Sequence, residues 1–531
     1  MRSALLISAA SLAAPFALAQ TAPLAPVEQT PLAKDAFAMG LLDRDEGALP
    51  ADLWRGADAP SLMLLLEAAP SRPAGPSLGD ALRRVLLSAG DAPADATPAL
   101  GGAKLKALVR AGFIDEAREI ESLASGTKND PASAEAMASA DLLSNDMAAA
   151  CEKGRRADTG RDKPFWVRLR VVCYAIANEL DAAELALGIL RENGGLDDID
   201  EALLAPLAAG GKPKAPVAPV DAVHFGALKA MSVPVSAALL DRAEAGVVKA
   251  AAKDAGQDWP TRLEAGKRAA AMGVFSAGEL RALFDAAPAT AAPAYRDIRA
   301  MSAPELLRDK AGRVAAEIAA APDFESLFAA SALYADDLRA LEGAIVPASE
   351  ASAFALARLA SGDAIGAERW LIAAAPAMQS AAPEGEAMRF IDLVGVLNAL
   401  EPAAAARIAA AANIVVAPPR IETEETASPP DGLAPIIGAA IEAAAEGGKG
   451  EAALAALAAS DAASRGDPVA EVIVKQSLVV AGLGDIVRRR EVERALSAIY
   501  PSATAPAPAI APAAASAPDA MTPRLKPKRA T

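Results

Sequence analysis

Apolar residues recur along this chain at helical spacing, most clearly between Cys151 and Leu190. Phe165, Trp166, Leu169, Val172, Cys173 and Ile176 follow the i, i+3, i+4, i+7 rhythm of one face of an amphipathic helix. Pro164 stands at its start, where a missing N–H costs nothing. Asn178 interrupts the run with a residue that tolerates the left-handed conformation ending many helices. Asp181, with Glu184 three residues on, predicts the N-cap of a second helix carrying Ala183, Ala186, Leu187 and Leu190 on one face. Gly194 and Gly195 end it, so the stretch reads as an αα-hairpin. Cys151 is expected to close an earlier helical run over 141–150, and the polar segment 152–163 to form an exposed loop.

The same arrangement returns elsewhere. Gly112 stops one helix and Ala117 follows five residues later in the next; Gly362 and Ala367 keep that offset, as do Asn178 and Ala183. An apolar residue, Ile120 or Trp370, comes next on the same face. Looser copies run from Gly273 to Glu279 and from Gly482 to Val487. This resembles the middle of a tetratricopeptide-type repeat, where a turn glycine separates two helices and a small alanine permits a tight crossing. The likeness covers about 15 residues per copy and lacks the regular repeat of roughly 34 residues and its Trp and Tyr anchors. It implies TPR-like hairpins stacked as an α-solenoid. Ser/Thr–Glu capping boxes are expected at Thr261–Glu264, Ser276–Glu279 and Ser302–Glu305.

Composition sharpens the fold class to all-α. Hydrophobic residues make up 53% of the chain but aromatics only 4%, so alanine carries most of the apolar content. Alanine favours helices and suits sheets poorly, and no stretch sustains Val/Ile/Thr alternation. Arg2, an apolar core over 4–12 and Ala17-Leu18-Ala19 read as a signal peptide, residues 1–19. A flexible Pro/Ala arm (20–36) follows, then a helical-hairpin block (37–210), a linker (211–221) and a second helical block (222–415). An acidic Pro-rich linker (416–432), a C-terminal helical block (433–500) and a disordered Ala/Pro-rich tail (501–531) complete the chain.

Export changes the reading of the two cysteines. They form no CxxC and no zinc set, so a Cys151–Cys173 disulfide is expected between the helices flanking the polar loop. Closing that loop of roughly 22 residues contributes about 3 kcal/mol on the chain-entropy view. The expected compartment is the periplasm, with no membrane span. A net charge of −16 argues against nucleic acid, whose phosphates would be repelled. Arg488 to Arg490 alternate with Glu491 and Glu493 and read as a solvated helix face. Arg524, Lys526, Lys528 and Arg529 are the local exception: they either touch an anionic membrane or cell-wall polymer, at about 1 kcal/mol each, or merely keep the tail soluble.

Candidate chemistry is sparse. His224 is the only histidine, so HExxH and Cys/His zinc sites are out of reach, and it reads as an ordinary, partly buried side chain. Neither GxSxG nor a phosphate-cradling glycine loop occurs; Gly447 to Gly450 reads as a flexible break between helices. Glu325-Ser326 stands alone on a helix without the Gly-Leu-Met-Gln stretch of lytic transglycosylases. No cofactor or metal is expected, and enzymatic activity is not.

The order of blocks resembles an uncharacterised family of secreted, Ala/Pro-rich alphaproteobacterial proteins sometimes labelled antifreeze glycopeptide-like. Ala150-Cys151, Phe165-Trp166, Leu169-Arg170, Cys173, Leu187 and Leu190-Arg191-Glu192 carry the likeness, within about 100–290. It implies no known activity. Ice binders of that type need regular Ala-Ala-Thr units, and the threonines here are few and scattered. The expected function is a non-enzymatic periplasmic scaffold or adaptor for another exported or membrane-anchored protein. A peptidoglycan-associated or cell-wall-enzyme-regulating role and an unrecognised hydrolase are the alternatives.

Overall fold

Helix follows helix wherever the structure, a computed structural model, describes the chain: residues 35–127, 130–379, 384–415 and 433–499. Among the described residues there are 25 α-helices, two 3-10 turns and no strand. The signal peptide, the arm up to residue 34, the acidic linker 416–432 and the tail 501–531 lie outside the described residues.

Local chemistry accounts for the helix starts, with aspartate the main cap. Asp130, Asp146, Asp258 and Asp323 each accept backbone N–H bonds from the first turn that follows them. The Ser276–Glu279 capping box forms in full. Thr261 does not start a helix: Asp258, three residues earlier, caps Trp259–Ala271 and accepts the Thr261 N–H at 2.8 Å. Ser302 leads instead into the 3-10 turn Pro304–Leu306. The helix expected from an Asp181 cap begins two residues earlier, at Leu180, and Asp181 lies in its first turn.

The run expected over 141–150 is broken. Asn145 adopts a left-handed conformation (φ +62°) after Pro131–Leu143, and Asp146 caps a new helix, Met147–Arg156. Cys151 therefore sits within that second helix, and the exposed loop shrinks to the residues between Arg156 and Pro164. Cys173 of the next helix, Pro164–Ile176, is bonded to it, with the Cα atoms 5.6 Å apart. Helices Pro131–Leu143, Met147–Arg156, Pro164–Ile176, Leu180–Glu192 and Asp198–Ala208 each pack on the next, as stacked hairpins do.

Nearest-neighbour stacking is not the whole arrangement. Ala222–Ala230 packs on three earlier helices, Pro131–Leu143, Pro164–Ile176 and Asp198–Ala208. Residues 211–221 before it are non-helical, and the end of that segment is held in place. Val220 O accepts the Glu244 N–H at 2.8 Å, and Asp221 caps the helix that follows. Buried apolar side chains form one continuous cluster from Ala36 to Leu496.

The longest-range contacts join the first described helices to the last. Ala59–Ala68 and Pro76–Leu87 both pack on Lys449–Ser464, and Pro76–Leu87 also packs on Gly484–Ile499. That last pair is antiparallel and zipped by polar side chains. The Ser77 N–H and hydroxyl donate to Glu493 (2.8 and 2.6 Å), Arg489 reaches Asp80 (2.9 Å), and Arg84 reaches Asp485 (2.9 Å). The solvated arginine face expected at 488–490 is thus corrected: Arg489 belongs to this zipper, and Arg490 is buried against Glu471 at 2.7 Å. Nor is Gly450 part of a loose break. It lies in the first turn of Lys449–Ser464, where an added Cβ would stand 2.3 Å from the Trp54 ring.

Candidate functional site

The positions singled out by the hairpin pattern sit at turns and crossings and do not converge on one place. Gly112 (φ +89°), Asn178 (φ +59°) and Gly362 (φ +77°) each follow a helix end in the left-handed region. Ala117, Ala183 and Ala367 are fully buried in the helices that follow, and Trp370 packs edge-on against Phe354 at 4.9 Å. Arg524, Lys526, Lys528 and Arg529 lie outside the described residues.

A polar network that the sequence did not announce lies beside the disulfide hairpin. His224, 2% exposed, occupies the first turn of Ala222–Ala230, and its backbone N–H donates to the capping Asp221 carboxylate at 3.0 Å. Its Nδ1 accepts from the Val220 N–H at 3.3 Å. Its Nε2 lies 2.9 Å from Asp200 Oδ1. Arg168 of Pro164–Ile176 reaches the same carboxylate through Nε (2.6 Å) and Asp221 through Nη1 (2.8 Å). Burial alone would lower the guanidinium's affinity for its proton; Asp221 and Asp200 raise it above the usual value. Burial likewise pushes Asp221 up, and Arg168 and His224 overcome it, holding the carboxyl below the ordinary range.

Asp197, Asp200 and His224 bring one donor atom each within 4.8 Å of one another, a spacing that suits a metal ion. The donors are already committed, however. Asp197 Oδ1 caps its own helix by accepting the Asp200 N–H at 2.7 Å, and Arg168 Nη2 lies 2.7 Å from His224 Nε2. A cation entering here would meet a guanidinium already in place, so the network fits a structural clamp better than a metal centre.

On another side of Ala222–Ala230 lies a cavity of about 510 Å³. Three lysines line it: Lys229 from that helix, with Lys249 and Lys253 from Ala245–Lys253. Phe225, Ile114, Leu143 and Ala250 supply apolar wall, and Ser144 and Asn145 come from the turn that breaks the expected helix. Lys229 is bound by both oxygens of Asp254, at 2.9 and 2.7 Å. Burial would raise the Asp254 carboxyl, but hydrogen bonds from Lys229, the Gly256 N–H and Gln257 hold it below the usual range. Lys253 stands 3.3 Å from Asp115 and 3.4 Å from Glu279. Lys249 is 5% exposed; its Nζ donates to Val274 O at 3.0 Å and has Glu279 at 3.6 Å.

Outer faces of the C-terminal helices show the opposite character. Ile441 on Leu433–Glu446 is 65% exposed, and Val469, Val472 and Val479 lie along the open side of Pro468–Val480, Val472 at 51%. These two helices pack on each other and on Lys449–Ser464. Isolated exposed valines are ordinary; a row of them on adjoining helices is the kind of surface that partners cover.

The chain matches no known protein family, no curated protein and no solved structure.

Proposed function

We propose that this protein is a non-enzymatic helical scaffold of the bacterial periplasm, docking another exported or membrane-anchored protein on its C-terminal helices. The observation that carries this reading is the row of outward-facing valines, Val469, Val472 and Val479, along one helix, with the exposed Ile441 on the helix that adjoins it. Interface cores are depleted of charge, and this row is interrupted chiefly by Lys475 and Gln476. Export agrees with the Cys151–Cys173 bond, which persists in oxidising compartments. It also agrees with the fact that no helix among the described residues is long and apolar enough to cross a membrane.

Asp254, in the cavity beside Ala222–Ala230, weighs against the hydrolase alternative. Asp254 is held ionised by Lys229, and a carboxyl in that state cannot donate a proton to a leaving group. The peptidoglycan alternative rests on the basic tail, outside the described residues. A photo-crosslinking residue placed at Val472, and separately at Ile441, tests the scaffold reading in cells. The expected result is one specific adduct from both positions and none from the exposed Arg156. Failure of both positions to capture any specific protein overturns the proposal.

A further inference from the structure

We infer that the lysine-lined cavity beside Ala222–Ala230 binds a small organic carboxylate with a short apolar body, its head on Lys249 and Lys253 and its body against Phe225 and Leu143. Lys249, one of the residues lining the cavity, carries the assignment; its Nζ also lies 6.0 Å from the centre of the Phe275 ring. An ammonium carries three protons, and this one, 5% exposed, places one hydrogen bond, on Val274 O. Its nearest carboxylate oxygen, on Glu279, is 3.6 Å away, too far for a hydrogen bond and good only for Coulomb attraction. Glu279 is divided besides, since it also faces Lys253 at 3.4 Å and accepts the Ser276 N–H at 2.8 Å as half of a capping box. A buried ammonium with donors unmatched is costly, and a ligand oxygen supplying two acceptors would relieve that cost.

The surroundings narrow the ligand's chemistry. Lys253 is about half exposed, with Asp115, itself 72% exposed, at 3.3 Å and Glu279 at 3.4 Å, so it meets an incoming anion by turning from these two longer contacts. Lys229 does not: both Asp254 oxygens hold it, and it forms a neutral wall. The acceptor chemistry is therefore a single anionic head met by two ammonium groups through charge-assisted bonds. Aromatic and aliphatic side chains in the same lining favour hydrocarbon behind that head. At about 510 Å³ the cavity has room for a molecule of modest size. This site differs in place and chemistry from the C-terminal docking face, so either can fail without the other.

Titration calorimetry on the full mature chain at low salt, with octanoate, octanamide and inorganic phosphate as probes, tests the assignment. Octanoate should bind saturably at one site per chain, and octanamide, which keeps the body and loses the charge, about tenfold or more weaker. Lys249→Met should weaken octanoate by a similar factor. Should that variant fail to fold, Lys253→Met, at a half-exposed position, carries the test with an expected loss of about three- to tenfold. Octanoate binding that is absent, or unchanged in both lysine variants, overturns the proposal. Phosphate binding as tightly as octanoate overturns the part that assigns the apolar body.

Discussion

Two regions of this molecule are built differently. Around the disulfide hairpin, Arg168, Asp200, Asp221 and His224 form a polar network, and Lys249 lines a cavity a short way off. In the C-terminal helices the packing between Lys449–Ser464 and its neighbours is made mostly of alanine, and Ile441, Val469, Val472 and Val479 face outward, as Leu185 does on the hairpin. The first region spends stability to hold specific polar groups in one geometry. The second packs small side chains cheaply and leaves larger ones for something else to cover. Substitutions should therefore unfold the first region and leave the second folded but without its partner.

Arg168→Met gives the largest expected effect. It removes the guanidinium between Asp200 and Asp221 and leaves the buried Asp200 and the partly exposed Asp221 with too few donors. Losing one partner of such a network typically costs about 3–5 kcal/mol, read as a shift of the urea midpoint. A loss below about 1 kcal/mol would mean that the network is solvated and that the contrast drawn above is wrong.

Cutting the sulfur brace comes next. The bond spans 22 residues and joins helices Met147–Arg156 and Pro164–Ile176, the second of which carries Arg168. Reduction, or Cys151→Ala with Cys173→Ala, should cost about 3 kcal/mol. If the brace serves the network, the loss in the Arg168→Met background should be smaller than in the wild type, which a double-mutant cycle measures.

The zipper between Pro76–Leu87 and Gly484–Ile499 lies between these extremes and should depend on pH. Burial raises the Glu493 carboxyl to about 7, against the Ser77 donors and Arg489, which pull it down. A carboxyl raised on folding adds stability that is present below its unfolded value of 4.5 and lost as pH rises through about 7. The zipper should hold more firmly at pH 5 than at pH 8, by at most about 3 kcal/mol. Glu451, also raised to about 7, acts in the same sense, while Lys104, lowered to about 7 by its burial, acts oppositely above neutrality. The decisive quantity is thus the difference between wild type and Glu493→Gln, which should grow in favour of the variant as pH rises. A difference flat from pH 5 to pH 8 would show that Glu493 is solvated.

How much of this could be read from the chain follows from what kind of signal each feature leaves. Helical periodicity and alanine content announced the all-helical fold, and the expectation of export together with cysteine number announced the disulfide. Asn145-Asp146 was passed over because its flanks, Leu142-Leu143 and Met147, keep an apolar rhythm across the break, although Asn followed by Asp is a fair stop-and-cap signal. The buried network was invisible for another reason. Its members come from three helices and share no spacing; only the Asp221–His224 and Asp197–Asp200 pairs, each a cap and the residue it caps, hinted at where they lie. Arg168 looked like one more polar position between apolar ones. The zipper was misread outright, since alternation of Arg and Glu along Gly484–Ile499 marks a solvated face unless another helix arrives with the complementary order. Ser77, Asp80 and Arg84, some four hundred residues earlier, supply it.

Smallest in stability, and most telling for function, is Val472→Glu. Val472 is half exposed on the open side of Pro468–Val480, so a carboxylate there stays in water and should change the urea midpoint by no more than about 0.5 kcal/mol. Burying the same carboxylate under a partner would cost several kcal/mol unless a cation met it. Crosslinking from Ile441 in a Val472→Glu background should therefore lose the adduct while the purified protein melts as the wild type does. Val472→Ala, which trims the side chain without adding charge, should only weaken the adduct. If Val472→Glu instead unfolds the C-terminal helices, the row belongs to the fold itself, and the two regions differ less than their surfaces indicate.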